Sequence, residues 1–523
     1  MNDFPILTLV LLVPLVGAAV VGLMPTREGV DDRPKQVGLI FSVLTLIIGV
    51  VIAAAYKVGD GGMQLTETHD WVPAFGVHYA LGLDGLGLLM VLLTVALVPL
   101  VLLAAWTDAD GADAKRFVAW TLALEALSLT VFAATDVFLF YVVFEATLIP
   151  AYFLVGGFGR KNRSAAALKF LMFQLGGGLV LLGSVIGLYV VSAQQGSPSY
   201  LYSDLQALDI STDAGRWLFA GFFIAFAIKA PLFPVHTWLA DTTEQATPPT
   251  SVLLVCILDK IGTFGMLRFC LGLFPEASEW ATPLVIVLAL ISIVYGAFVA
   301  IGQDDILRLI GLTSLSHFGF ITLGIFVFTA QGATGSILYM VNHGIATAAL
   351  FFAAGFLIKR RGTTLISQMG GLEKVTPVLA GLFLVAGLAT LGLPGLSQFV
   401  SEILVLIAAF DYAWYVGAIA VSGIVLAAVY VLWAYQRMMT GPNPAGLQAE
   451  LDADAQGEGV RDLTRRELVV LAPLTAALVL FGFYPAPLLD VSNPTVYSLL
   501  DNAGVADDGP DVPVGTHAEE GDH

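Results

Sequence analysis

The chain has 523 residues, of which 57% are hydrophobic and only 12% charged, against roughly 25% charged in a soluble globular chain. This excludes a large soluble helical protein, whose helices would each need a polar face, because stretches such as 4–23, 38–55, 85–105 and 282–302 are apolar all round. Much of the net charge of -18 gathers in 448–458 and in a tail at 501–523 that lacks Lys and Arg; it describes solvated segments, and no nucleic acid is expected as a partner.

Cutting runs of roughly 20 apolar residues at Gly, Pro and charge clusters predicts an all-α integral membrane protein of about fourteen transmembrane helices. They fall near 4–23, 38–56, 82–105, 117–134, 137–157, 167–191, 217–235, 249–271, 282–302, 308–329, 335–358, 376–409, 414–438 and 467–486. The first run follows Asp3 rather than a basic region and shows no small-residue cleavage motif, so it is read as a retained span and not as a signal peptide. If the helices alternate in direction, most of the basic residues, among them Arg33, Lys115, Arg160, Lys161, Arg308, Lys359, Arg360 and Arg437, collect on one side. Cytoplasmic loops collect Lys and Arg, so both termini are expected on the outer side of the cell (inner) membrane. Lys57, Arg216 and Arg268 are the outer exceptions, and Lys229 and Lys260 fall inside helices.

Two helices read as broken. In the seventh, Lys229-Ala-Pro231-Leu-Phe-Pro234 places two prolines at the end of an apolar run, and Leu391-Gly-Leu-Pro394-Gly395 interrupts the twelfth. Proline removes a backbone donor and clashes with the preceding turn, and freed carbonyls at membrane depth need protein or water to satisfy them. Matched breaks five helices apart are the mark of an inverted-repeat transporter with its ion path at the breaks. Helices 4–8 and 9–13 are therefore expected to be two inverted repeats. The resulting division is 1–116 for the N-terminal three helices, 117–271 and 282–438 for the repeats, 439–466 for a cytoplasmic loop, 467–486 for the last helix and 487–523 for an acidic external tail.

Charges inside membrane helices cost at least roughly 2.5–3.5 kcal/mol each and mark ion pathways by default. Here they are Glu125, Asp136, Glu145, Lys229, Asp259, Lys260 and Glu402, with His317 and His343 as possible relays. Any one of them could be a plain ion pair or helix–helix hydrogen bond. Both signs together suit a series that hands a proton along while staying near neutrality.

The motifs around these residues resemble those of the antiporter-like membrane subunits of respiratory complex I (NADH:quinone oxidoreductase), of the NuoM (chain 4-like) type. LFYVVFEATLIP around Glu145 is similar to their fifth-helix motif, KAPLFPVHTWL to the seventh, LDKIGTFGMLRF to the eighth, QDDILRLIGLTSLSHFG to the tenth and GLPGLSQFVSE to the twelfth. The resemblance runs from about residue 80 to about 440. It implies that Glu145 and Lys229 form a charge-modulated pair, that Lys260 lies on the central axis, that His317 and His343 connect two half-channels, and that Glu402 is the terminal group. Within the family the L-type and N-type subunits typically carry Lys at the twelfth-helix position, whereas the M-type carries Glu, as Glu402 here. The L-type also has a long lateral helix after the body, for which the residues beyond the last expected span offer no room.

This sequence departs from the family at HTWLADTTEQATPPT, where Ala240, Thr243, Gln245 and Thr247 replace Pro, His, Glu and Pro, so the role of that second His does not carry over. Asp259 takes a place that is commonly apolar; adjacent helical residues point about 100° apart, so it either tunes Lys260 or pairs with a neighbouring helix. Glu125 matches no family motif, Asp84 is read as ordering the outer end of the third helix, and His236 as an intake gate or an interfacial hydrogen bond. Cys256 and Cys270 have no Cys-x-x-Cys spacing, and the glycines lie within apolar helices, so no metal, cluster or nucleotide site is expected on this chain. FMN, iron–sulfur clusters and quinone are expected in partner subunits, with L-type and N-type neighbours and membrane lipids as contacts. The reading is a proton-translocating subunit driven by redox chemistry elsewhere; a multisubunit sodium/proton antiporter or an energy-conserving membrane hydrogenase shares the motifs and is the alternative.

Overall fold

The computed structural model describes residues 4–25, 31–196, 198–442 and 461–505. In chain order its long helices are α1 (Ile6–Leu23), α2 (Arg33–Ala55), α3 (Gly85–Ala104), α4 (Gly111–Ala133), α5 (Val137–Phe158), α6 (Arg163–Gln194), α7 (Thr212–Lys229), α8 (Pro248–Leu271), α9 (Pro275–Ile301), α10 (Ile306–Phe326), α11 (Ala330–Arg361), α12 (Pro377–Thr390), α13 (Ser397–Tyr412), α14 (Trp414–Met439), α15 (Arg465–Phe483) and α16 (Ala486–Asn502). Among the described residues, 12 of them are long and apolar enough to cross a bilayer. With no water in the bilayer core, every backbone N–H and C=O must be paired within the chain, and a helix does this by itself. Helices α8 and α10 are buried over an entire 18-residue stretch each, more completely than the other spans. Helix α2 lies at the rim, where Ile40, Leu44, Ile47 and Val51 face outward as a surface for lipid tails. Small residues let the helices close up, as membrane packing requires: a Cβ at Gly38 of α2 would stand 2.1 Å from the side chain of Val118 on α4.

The two helices expected to break do so. Helix α7 stops at Lys229, ahead of Pro231, and the chain resumes in a short helix, Thr237–Gln245. Trp238 Nε1 donates to the freed carbonyl of Ile228 at 3.0 Å. Helix α12 stops at Thr390, and α13 starts at Ser397 beyond Gly392 (φ 75°) and Gly395 (φ 92°). Gln398 Nε2 donates to the freed carbonyl of Thr390 at 2.7 Å. At each break a side chain satisfies a carbonyl that the interrupted helix leaves free, as buried backbone demands.

Three features were not expected. Residues between α2 and α3 form an antiparallel hairpin, β1 (Gln64–Val72) with β2 (Val77–Leu83), turning at Gly76 (φ 63°). Glu67 on β1 accepts from the backbone N–H of Leu7 at 2.7 Å, and Asp136 accepts from His78 N at 2.8 Å, so the hairpin ties the starts of α1 and α5 together. The acidic tail expected from 487 begins later, because 486–502 fold as α16. Its Thr495 Oγ1 accepts from Gly85 N at 2.8 Å, and its Asn493 from Thr334 at 3.0 Å. Helix α5 is interrupted at Thr147, and α8 carries widened π turns at Leu253–Leu258 and Met266–Leu271. Residues 443–460 of the expected cytoplasmic loop and 506–523 of the expected tail lie outside the described residues.

The end opposite the hairpin is held by ion pairs. Asp241 accepts from Lys169 at 2.6 Å and from Arg308 at 2.7 Å, and Arg308 also reaches Glu244 at 2.7 Å. Arg437 donates to Asp304 at 2.7 Å. Burial alone would raise the Asp241 carboxyl, but hydrogen bonds from Lys169 and Arg308 outweigh it and hold the group below the usual carboxylate range; at Asp304, Ser367 and Arg437 do the same. A carboxylate depressed in the folded state stabilises it fully above the ordinary carboxylate pKa, and that stabilisation is lost as pH falls through the depressed value. Hydrogen exchange of residues 237–245 in the intact complex, corrected for intrinsic rates, is therefore expected to rise on acidification below the ordinary carboxylate range. In Asp241→Asn it should be raised already at neutral pH; equal exchange in the two proteins would contradict the assignment.

Candidate functional site

The buried ionisable groups lie on six helices, α5, α7, α8, α10, α11 and α13, and the breaks decide where they sit. Lys229 is the last residue of α7, so its side chain lies at the frayed end. It is fully buried, its Nζ lies 3.4 Å from Thr147 Oγ1 and stacks over the Phe144 ring at 4.8 Å. The interruption of α5 that supplies Thr147 comes directly after the segment carrying Glu145. Glu145 itself does not touch Lys229. Its carboxylate packs on α6, where a Cβ at Gly178 would stand 1.7 Å from Oε1, and that oxygen has no hydrogen-bond partner. Glycine at 178 is what makes room for the acid.

From Lys260 onward the groups follow one another closely, by hydrogen bonds except between His343 and His317, whose rings pack side by side with His343 Nε2 unpartnered. Lys260, fully buried on α8, donates from Nζ to His343 Nδ1 on α11 at 2.6 Å and to the Val255 carbonyl at 3.2 Å, and lies over the Phe318 ring at 4.5 Å. The His343 and His317 rings are 5.1 Å apart. His317 Nδ1 shares a hydrogen bond with the Tyr339 hydroxyl at 2.8 Å, and Tyr339 donates to Glu402 Oε1 at 2.8 Å. Gln398 Nε2 donates to the same oxygen at 3.0 Å and stands 3.3 Å from His317 Nδ1. The other carboxylate oxygen of Glu402 rests on the second break, where a Cβ at Gly392 would meet it at 1.8 Å. A cation, two neutral-capable rings, a hydroxyl and a carboxylate thus form one series through α8, α11, α10 and α13. Groups that both donate and accept can pass a proton from one to the next by exchanging donor and acceptor roles.

Of the residues singled out from sequence, Lys260, His343, His317 and Glu402 are brought into this series; Glu145 and Lys229 lie near one another on its far side without contact. Tyr339 and Gln398 were missed. Each stands four residues before a recognised member, Tyr339 before His343 and Gln398 before Glu402, and residues at i and i+4 share a helix face; that spacing was the available signal. Glu125 is buried on α4 with neither carboxylate oxygen partnered. Asp136 caps α5, accepting from Phe138 N and Leu139 N at 2.9 Å each. Asp84 caps α3 and accepts from Arg268 Nη2 at 2.6 Å, the ordering role read for it. His236 is buried against Phe233 and Tyr295, with Nδ1 unpartnered. Both cysteines are free and buried, and no group of three or more His, Cys, Asp or Glu side chains able to hold a metal occurs among the described residues.

The family model described as NADH:quinone oxidoreductase/Mrp antiporter, TM, matches residues 134–427, which contain every member of the series. Among curated proteins, NADH-quinone oxidoreductase subunit M of Mycobacterium tuberculosis is 47% identical over 98% of this chain and 97% of its own length, and that of Rhodobacter capsulatus 36% identical over 95% and 96%. Among solved structures, a chain of respiratory complex I from Thermus thermophilus with bound NADH superposes with a TM-score of 0.85 at 33% identity, covering 95% of this chain and all of that one. A chain of the Mrp complex from Dietzia sp. DQ12-45-1b has the same fold, with a TM-score of 0.82 at 23% identity over 95% and 97% of the two chains. Near-complete coverage by these relatives, together with a family match across the whole buried series, means that the chain belongs to the subunit M family of NADH-quinone oxidoreductases.

Proposed function

We infer that this chain is a proton-translocating membrane subunit of NADH:quinone oxidoreductase, and that it moves protons through Glu145, Lys229, Lys260, His343, His317 and Glu402. The observation that carries the reading is the contact series from Lys260 to Glu402, buried throughout and anchored at a helix break. A solvated ion pair would need none of this. Moving one charge against the membrane potential costs roughly 2.3 kcal/mol per 100 mV, and an undriven path would leak protons inward. The drive therefore comes from partner subunits, which are expected to hold FMN, iron–sulfur clusters and quinone, with L-type and N-type subunits as membrane neighbours.

The matched breaks after Lys229 and Thr390 support two inverted repeats, 117–271 and 282–438, each with one broken helix. Clustering of Lys and Arg at the end opposite the hairpin supports an inner-face location for that end, and hence outer termini in the cell membrane. Likeness to the Mrp complex is one of fold and favours the antiporter alternative no further than that.

Glu145→Gln tests the reading, because it keeps the shape of the side chain and removes its proton-binding function. In membranes containing the assembled complex it is expected to lower NADH-driven proton pumping about a hundredfold, with NADH oxidation by a soluble acceptor unchanged. Wild-type pumping by this variant would remove Glu145 from the path.

A further inference from the structure

No hydrogen bond links Lys229 to Lys260, and a buried carboxylate, Asp259, directly precedes Lys260 on α8. Lys260 points its Nζ to His343 on α11. Asp259 precedes it by one residue, so the two side chains diverge by about 100° around the helix. Gly262 shows which way Asp259 faces. One turn further along α8, at i+3, it shares a face with Asp259, and a Cβ there would stand 2.4 Å from Ala230 N and 2.6 Å from Phe226 O. That face of α8 thus abuts the end of α7, where Ala230 follows Lys229. The carboxylate is 1% exposed, and its Oδ2 has no hydrogen-bond partner. The widened turn at Leu253–Leu258 ends directly before it, and π turns within helices are frequent at functional sites.

We propose that Asp259 is a proton-carrying group that bridges Lys229 and Lys260. This rests on the reading of the buried series as the proton path. A proton leaves the Lys229 ammonium for the Asp259 carboxylate, giving a neutral amine and a carboxylic acid. The acid then gives the proton to neutral Lys260, which becomes ammonium, and the carboxylate is restored. No electron changes hands. Neither lysine donates to Asp259 in this conformation, so the carboxyl meets them in turn by rotating about its own side-chain bonds. A buried, unpartnered carboxylate is costly to keep, and apolar residues would fill the position at no such penalty.

The test uses the whole complex in its membrane, with Asp259→Asn, Asp259→Glu and Lys260→Met compared. Asp259→Asn is expected to assemble and to oxidise NADH with a soluble acceptor as wild type does, while its pumping falls about tenfold or more. Asp259→Glu, which keeps the titrating group, is expected to recover most of it. Turnover-difference infrared spectra should show a carboxylic acid band that is absent in Asp259→Asn, which a merely structural role would not produce. If Asp259→Asn lowers assembly, Asp259→Ser serves in its place, with pumping expressed per assembled complex. Wild-type pumping by Asp259→Asn beside a silent Lys260→Met overturns the bridge and leaves the path standing. Equal impairment of the Asn and Glu variants, with no lost infrared band, makes Asp259 structural and also overturns it. If Lys260→Met pumps at the wild-type rate, the path reading itself fails.

Discussion

Replacing Lys260 by methionine is expected to stop proton pumping by this subunit while leaving the complex assembled. Methionine is similar in length, unbranched and apolar, so it fills the space under Phe318 and brings no charge to be solvated. Removing a buried ammonium takes away a desolvation cost. His343 loses its 2.6 Å partner, but an unpartnered buried polar group costs only about 1–3 kcal/mol, small for a helix buried on all sides. What disappears is, among the described residues, the one side-chain hydrogen bond joining α8 to the His343–Glu402 half of the series. Pumping per assembled complex, read as NADH-driven acidification of inverted vesicles, should fall about a hundredfold. Lys260→Arg sharpens the test. Arginine keeps the positive charge but does not release its proton at any working pH, so it should fail as well if Lys260 hands protons on. Pumping by Lys260→Arg at the wild-type rate would make the residue a fixed charge instead of a carrier.

Lys260 and its partners were legible because a charge in an apolar run is expensive, and the cost is visible in the letters themselves. The breaks were legible for a similar reason: Pro231 and Pro234 fall three residues apart, and Pro394 stands between Gly392 and Gly395, so each stretch loses backbone donors where glycine or a second proline gives the helix no support. What escaped was whatever depends on direction. The face of α8 that Asp259 shares with Gly262 is set by how closely α7 approaches, and that approach is a tertiary fact. Tyr339 reads in sequence as one more aromatic residue of an apolar helix, and its role depends on α10 and α13 arriving on either side of its hydroxyl. Residues 64–83 were passed over because neither strand is long or apolar, although Thr66, Thr68 and Asp70 alternating with other residues ahead of a Pro-Ala-Phe-Gly turn carry a hairpin pattern. Helix α16 was passed over because it is amphipathic and contains Pro494; it lies across the hairpin end and does not repeat the apolar signal of a span. Arg268 was read as one of a few basic residues on the outer side, and it proves to be buried.

Asp84→Ala is expected to destabilise the fold by about 3–5 kcal/mol, the usual result of leaving one member of a buried ion pair without the other. Arg268 donates to Asp84 at 2.6 Å, with the two side chains 8% and 5% exposed. Its guanidinium is otherwise flanked by the rings of Tyr202 and Phe264, at 5.5 and 5.3 Å, which cannot neutralise it. The same carboxylate accepts from Gly87 N at 2.9 Å, so alanine also removes the N-cap of α3. The pair forms part of the wall of a cavity of about 340 Å³ between the hairpin, α8 and α16, and it pins the start of α3 to the widened turn of α8 at Met266–Leu271. Asp84→Asn keeps an acceptor for the cap but leaves the charge on Arg268 unbalanced, so its loss should be intermediate. The double variant Asp84→Ala with Arg268→Met should recover part of the deficit, because the unpaired charge goes with its partner. Thermal inactivation midpoints of the solubilised complex and the amount assembled would give this order. Pumping per assembled complex should stay at the wild-type rate in all three, since neither residue belongs to the series from Lys260 to Glu402. A loss of pumping with assembly and midpoint intact would place Arg268 and Asp84 on the proton path, and their purely structural assignment would fall.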